Sequence, residues 1–285
     1  MNHFITILSL LSLLILLPLV AVAGEEIEFD SRIDWRKSTF IIEAQIDLSK
    51  QDSFVPRARA QSEQLVEQRL PITFRRTLAG LIVDSYYTAG ELAADSPELV
   101  RAINNLTYKN TKTFSHISND LQRFSVTYTY NFYPDIIDIF TFHKRPYNPP
   151  RILSYVPTSA FSGIVIYMKD NFPVHGEQGR TSKLQPCLFP KIYDTEMDLI
   201  YEKGMVDPDV LREWGMVAYS DSLDLKQYQN RIGINPLKVL GRGIFGRNYS
   251  DIIIDKETAQ KILFQPENRK LLTEGKVLII CDLPE

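Results

Sequence analysis

Asp194, Glu196 and Asp198 alternate along one short stretch, and on a strand their side chains would project to the same side. Three carboxylates so placed could hold a hard cation, or divide the roles of acid and base between them. They could equally decorate the solvent side of a turn between two strands, which Asp194-Thr195-Glu196 resembles, and the turn is the expectation here. Cys187 with His143 or His175 would make a thiol–imidazole pair for nucleophilic catalysis, yet nothing in the local sequence supports the pairing. Gly241-Arg-Gly-Ile-Phe-Gly246 fits the dinucleotide fingerprint, which works only when its last glycine opens a helix. Here Arg247 to Ser250 leads into the apolar run Asp251-Ile-Ile-Ile254, which reads as a strand, so a glycine-rich hairpin or loop explains the match. Ser162-Gly163 lacks the elbow that exposes a hydrolase serine. No catalytic, cofactor-binding or metal-binding set is expected, and the chain reads as a non-enzyme. Two alternatives stay open: a secreted, cation-dependent enzyme using the three carboxylates, and a periplasmic small-molecule binder using Tyr128, Tyr130 and neighbouring aromatic residues.

The elements that must position these groups follow a distinctive leader. The run from Phe4 to Val20 is almost wholly apolar and closes with Ala21-Val22-Ala23, the small-x-small pattern cut by signal peptidase. Pro18, Thr6, Ser9 and Ser12 interrupt it, and a membrane span wants about 20 apolar residues. Residues 1–23 are thus read as a signal peptide, with membrane contact only through an uncleaved leader, and the protein as exported to the periplasm or cell envelope. The leader contains no Cys for lipid attachment. With 24% charged and 44% hydrophobic residues and a net charge of −3, the rest reads as a soluble globular chain without the basic surplus of a nucleic-acid binder. Cys187 and Cys281, the only cysteines, could bridge in an oxidising compartment or pack as two buried thiols.

Thr39 to Leu48 reads as a strand, and Arg57 to Val83 as a helix that Pro71 kinks or breaks. Asp95-Ser-Pro-Glu98 carries a capping side chain, a first-turn proline and an acid at the positive end of the dipole, so it opens a helix. From Leu121 to Tyr133 the period falls to two: Phe124, Val126, Tyr128, Tyr130 and Phe132 alternate with polar residues, and this aromatic stripe is expected to be core. Asp135 to His143 is expected to pair with it as another strand. Pro146-Tyr-Asn-Pro-Pro150 blocks both helix and central strand, so it separates an N-terminal subdomain, residues 24–145, from a C-terminal one, residues 151–285. The second half alternates short strands (Gly163 to Met168, Leu188 to Tyr193, Met197 to Tyr201, Pro236 to Leu240, Ile252 to Asp255, Lys276 to Asp282) with helices (Asp207 to Trp214, Ser222 to Arg231, Lys256 to Phe264, Pro266 to Leu272). Without strict βαβ repetition, this is an α+β protein of mixed sheets and packed helices.

Several phrases of the second half carry a resemblance. They are Pro157-Thr-Ser-Ala-Phe-Ser-Gly-Ile-Val-Ile166, Leu184-Gln-Pro-Cys-Leu-Phe-Pro-Lys-Ile-Tyr-Asp194, Met197-Asp-Leu-Ile-Tyr201, Val206-Asp-Pro-Asp209, Trp214-Gly-Met-Val-Ala-Tyr219, Arg231-Ile-Gly-Ile-Asn-Pro-Leu237 and Val277-Leu-Ile-Ile-Cys-Asp282. With Ala58 to Ser85 they resemble the flagellar FlgP-like exported lipoprotein family and its bacterial envelope relatives. The resemblance implies a non-catalytic envelope protein whose partners are itself or other envelope or flagellar proteins. It supplies no site residues. The chain departs from that family in having no lipidation cysteine and in a polar insert around His175 to Ser182.

Overall fold

The computed structural model describes residues 27–50 and 54–284; the leader and its expected cleavage after Ala23 lie outside them. The first sheet is antiparallel, with four strands in the order β1-β2-β4-β3. Strands β1 (Ile27–Asp34) and β2 (Thr39–Asp47) form a hairpin, and β3 (Thr111–Ile117) with β4 (Arg123–Asn131) completes the sheet. Phe40, Ile42, Ala44 and Ile46 on β2 stand beside Tyr130, Tyr128, Val126 and Phe124 on β4, so the period of two buries one face.

Helix α1 (Val55–Ala79) covers that face with Ala58, Ser62, Val66, Leu70, Phe74 and Leu78, one residue in every four. It runs on through Pro71 without the break that a proline can impose. Proline removes the amide that would serve the Glu67 carbonyl, and Glu67 is exposed, so water can take that amide's place while the buried stripe keeps its packing. After it come α2 (Ala89–Ala94), opened by a Thr88–Glu91 capping box, and α3 (Pro97–Leu106), capped by Ser96 as its opening residues required.

Residues 135–143 are not a strand. Tyr133 is extended and kinks the chain, after which the backbone coils helically as far as Asp138, and Ile136, Ile137 and Phe140 are all buried. Ile136 and Ile137 lie four and three positions before Phe140, spacings that bring them to its side of a helix, whereas on a strand the adjacent pair would point to opposite faces.

The second sheet has seven strands in the order β10-β13-β5-β11-β12-β8-β9. Its centre, β5 (Ile164–Met168), pairs in parallel with β11 (Leu237–Phe245) and β13 (Val277–Cys281); β10 (Ala218–Ser220) lies parallel to β13 at one edge. On the other side β12 (Asp251–Ile254) runs antiparallel to β11, followed by β8 (Ile192–Asp194) and the edge strand β9 (Leu199–Tyr201). A small hairpin, β6 (Phe172–Pro173) with β7 (Thr181–Ser182), carries the loop containing His175. Helices α4 (Pro208–Trp214), α5 (Gln229–Ile232), α6 (Lys256–Phe264) and α7 (Pro266–Thr273) pack on the sheet. The expected helix from Ser222 to Arg231 is a 3-10 turn, Leu225–Tyr228, followed by the single turn α5. Mixed sheets with packed helices make the fold α+β. One continuous core holds residues of both sheets, from Phe40 and Phe74 to Ile166 and Ile279.

Candidate functional site

The three alternating carboxylates fall on the tight turn joining β8 to β9. Asp194 closes that turn: its Oδ1 accepts the amides of Glu196 and Asp198, both at 2.9 Å, while its own amide donates to the Asp198 carbonyl. Met197 takes the left-handed conformation at φ 66°. Asp194 is only 3% exposed, so one member of the trio is buried rather than solvated. Glu196 turns outward and pairs with Lys256 at the start of α6. Asp198 is exposed. Asp194 and Asp198 line a cavity of about 440 Å³ beside β9, together with Lys256 and Gln260 and the apolar Pro150, Ile152, Leu199, Ile200, Ala259 and Leu263.

The thiol–imidazole pairing is replaced by other contacts. Cys187 is a free, fully buried thiol, and burial pushes its pKa well up, away from the reactive thiolate. Its amide donates to the Tyr219 hydroxyl, which in turn donates to the Cys187 carbonyl at 2.9 Å. His143 bonds the Val206 carbonyl through Nε2 at 2.9 Å, and His175 sits edge-on to Phe245. Cys281 is likewise free and buried, within β13. The glycines of Gly241 to Gly246 lie in and after β11, where a bulge between Gly241 and Gly243 shifts its register against β12. No helix N-terminus follows them, and the hairpin reading holds. The stripe of β4 is core: Phe124, Val126, Tyr128 and Tyr130 are each at most 2% exposed.

Sequence reasoning missed the seam between the two sheets. The segment between α1 and α2 inserts into the second half, where the amides of Leu188 and Phe189 donate to the Ile82 and Val83 carbonyls and that of Asn248 to the Ser85 carbonyl. Ser85 and Asp251, 166 positions apart, meet there with no exposure to solvent: Ser85 Oγ donates to Asp251 Oδ2 at 2.6 Å, and the Lys191 amide donates to Oδ1 at 2.8 Å. Trp35 packs edge-on against Tyr219, and Arg36 pairs with Asp221. Near the same seam Lys203 donates to the Phe140 carbonyl and lies over the rings of Phe189 and Phe142, at 4.5 and 5.7 Å from their centroids. Its burial lowers its pKa. No local signal marked these groups, because each is defined by a partner far away in the chain.

Desolvation raises the Asp251 pKa from 3.8 to about 6, against the opposing hydrogen bonds from Ser85 and Lys191. The folded protein therefore holds this proton more tightly than the unfolded chain. The group's contribution is fully present below pH 3.8 and is lost as pH rises through about 6. The tighter hold on the proton is worth about 3 kcal/mol. Asp251→Asn keeps both hydrogen bonds, since its carbonyl can accept from Lys191 and its amide can donate to the Ser85 hydroxyl. The variant should unfold in urea with a flatter dependence on pH between about 4 and 7 than the native protein. Parallel profiles would show that Asp251 is ionised throughout that range.

Comparison with known protein families gives two matches, in tandem. Residues 26–139 match the N-terminal domain of Treponema pallidum Tp0624, and residues 163–283 match the second domain of that protein. No curated protein matches the chain. The two matches, in the same order, liken the chain's two halves to the first two domains of that bacterial protein.

Proposed function

We infer, for a chain whose halves match the N-terminal and second domains of Tp0624 in that order, a non-catalytic role as a scaffold or interaction protein of the bacterial envelope. The observation that carries this reading is the seam. Two sheets share one core and are tied by backbone hydrogen bonds and by the Ser85–Asp251 contact, so they present their outer surfaces at fixed relative positions. Fixed spacing between surfaces is what an assembly component needs, whereas a hinged cleft would favour ligand capture and release. The chemistry-bearing groups support the same reading, since Asp194, Asp251 and Cys187 each serve an internal contact. Placement in the periplasm or envelope rests on the apolar leader and its Ala21-Val22-Ala23 end. The motility link rests on the resemblance of the second-half phrases to the FlgP-like family.

In-cell crosslinking of the tagged full chain, with mass spectrometry of what is captured, tests the role. Repeated recovery of envelope or flagellar proteins, or of a second copy, is the expected result. A monomer that captures no partner, or a turnover activity abolished by Glu196→Gln, would overturn it.

A further inference from the structure

The segment connecting the two sheets combines exposed apolar side chains with unpaired cations. Between Asp138 and Asp170 the chain has no acidic residue, yet it holds Lys144, Arg145, Arg151 and Lys169. The same stretch exposes Phe142 (75%), Leu153 (85%) and Tyr155 (80%), and Tyr147 by nearly half (45%). A single exposed leucine or aromatic ring is ordinary, whereas several gathered on one short segment mark a contact surface. Pro146, Pro149 and Pro150 restrict the backbone, so the segment has little freedom to fold over these side chains. Ile152 is half-buried and Val156 buried, while Arg151, Leu153 and Tyr155 face outward.

Packing brings more positive charge to the downstream half. Arg151 shares a cavity of about 460 Å³ with Arg269 and Lys270 of α7, completed by Asn148, Pro149, Pro266 and Thr273. Tyr155 stands edge-on to Phe264 at the end of α6, with centroids 5.7 Å apart, and Arg269 donates to the Leu263 and Phe264 carbonyls. The side chains of Lys144, Arg145 and Arg151 have no hydrogen-bond or ion-pair partner among the described residues. The bordering acids are mostly engaged: Glu202 accepts the Tyr147 hydroxyl, Glu274 is held by Lys270 and Lys276, and Asp198 lies near Lys256. Glu267, at the start of α7, is exposed. A lipid surface asks for this combination, apolar side chains for the acyl boundary and cations for the phosphates beside it. We propose that this face docks on an anionic lipid surface, with Leu153 and Tyr155 entering the boundary below the headgroups while Arg151 and Arg269 meet lipid phosphates. Phe142, with Lys144 and Arg145, offers the same pairing at the upstream end of the segment. This goes beyond the scaffold reading, and vesicle binding is measured without any protein partner, so either can fail alone.

The test is sedimentation with vesicles of phosphatidylcholine, alone or mixed with phosphatidylglycerol. It uses the chain from Gly24 onward, which holds every described residue and lacks the apolar leader. The expected result is saturable binding to the mixed vesicles that weakens with added salt, and about tenfold or more weaker binding to phosphatidylcholine alone. Arg151→Gln should weaken binding to the mixed vesicles about fivefold, the worth of one cation near an anionic surface. Leu153→Ser combined with Tyr155→Ser should weaken it about tenfold or more. These side chains are exposed, so each variant should keep the melting temperature of the native protein. Lys238→Gln, which removes an exposed cation of β11 outside the segment, should leave binding unchanged. Equal binding to both kinds of vesicle, binding to neither, or an equal loss in Lys238→Gln would overturn the proposal. So would displacement from the mixed vesicles by inorganic phosphate but not by chloride of equal ionic strength, which would reveal a site for free anions. A photocrosslinker in place of Leu153 that captures one protein and no lipid in cells would overturn it as well.

Discussion

Replacing Arg231 with methionine should destabilise the protein by about 3 kcal/mol or more in urea unfolding, far beyond the effect of removing any surface ion pair. Arg231 is a buried cation with no carboxylate against it among the described residues. Its guanidinium donates instead to three carbonyls: Nε to Gly275 at 2.8 Å, Nη1 to Trp214 at 2.8 Å and Nη2 to Gly215 at 2.6 Å. It also lies over the Trp214 ring, 5.1 Å from the centroid. Burial lowers its pKa, while the neighbouring Tyr133 and Tyr201 oppose that shift. Two of the three carbonyls end α4, where a helix leaves acceptors without intrahelical donors, and the third belongs to the turn before β13. A planar fork of five donors meets all three at once, and no other side chain can.

Methionine fills much of the volume but leaves three buried acceptors bare, each worth about 1–3 kcal/mol. Arg231→Lys keeps the charge but offers one nitrogen, so it should recover only part of the loss. A cost below about 1 kcal/mol for methionine would mean that water reaches these carbonyls after substitution.

Tyr130→Ala should cost about 3–5 kcal/mol by the same measurement, whereas Tyr128→Phe should be neutral or slightly stabilising. The tyrosines are two residues apart on one face of β4, and both are 2% exposed. Tyr130 stacks on Phe74 of α1 with centroids 4.0 Å apart, meets Phe40 edge-on, and donates its hydroxyl to the Thr107 carbonyl at 3.3 Å. Alanine there removes a ring from between helix and sheet and leaves a cavity. The Tyr128 hydroxyl is buried with no hydrogen-bond partner among the described residues, and burial raises its pKa to about 12. Removing an oxygen that nothing satisfies removes a desolvation cost, and phenylalanine keeps the packing. If Tyr130→Ala left stability unchanged, the stripe would be a ligand cleft rather than core.

Much of the fold was legible because it rests on local periodicity and punctuation. The alternation from Phe124 to Tyr130 marked β4, Ser96-Pro97 marked the start of α3, and Asp255 with Pro266 bounded α6 and α7. Two kinds of element escaped. The edge strands β1 and β3 and the three-residue β10 are short or only partly buried, so their patterns are diluted by solvent-facing residues. The helical stretch after Tyr133, expected as a strand from Asp135 to His143, looked like one because its apolar residues follow closely on β4. The turn at Asp194 was legible as a turn, but its burial was not, since α6 and the connecting segment that wall the cavity beside it come from elsewhere in the chain.

By itself, the sequence determined the α+β class, the order of most strands and helices, and the identity of the aromatic core, because each depends on residues within a turn or two of one another. Only the tertiary structure decided what the polar groups do. Ser85 meets Asp251, Arg231 meets Gly275 and Lys203 meets Phe140 across separations of 166, 44 and 63 residues. A buried polar group must find its partner wherever the packed chain puts one, and that position is a property of the whole core rather than of any neighbouring residue.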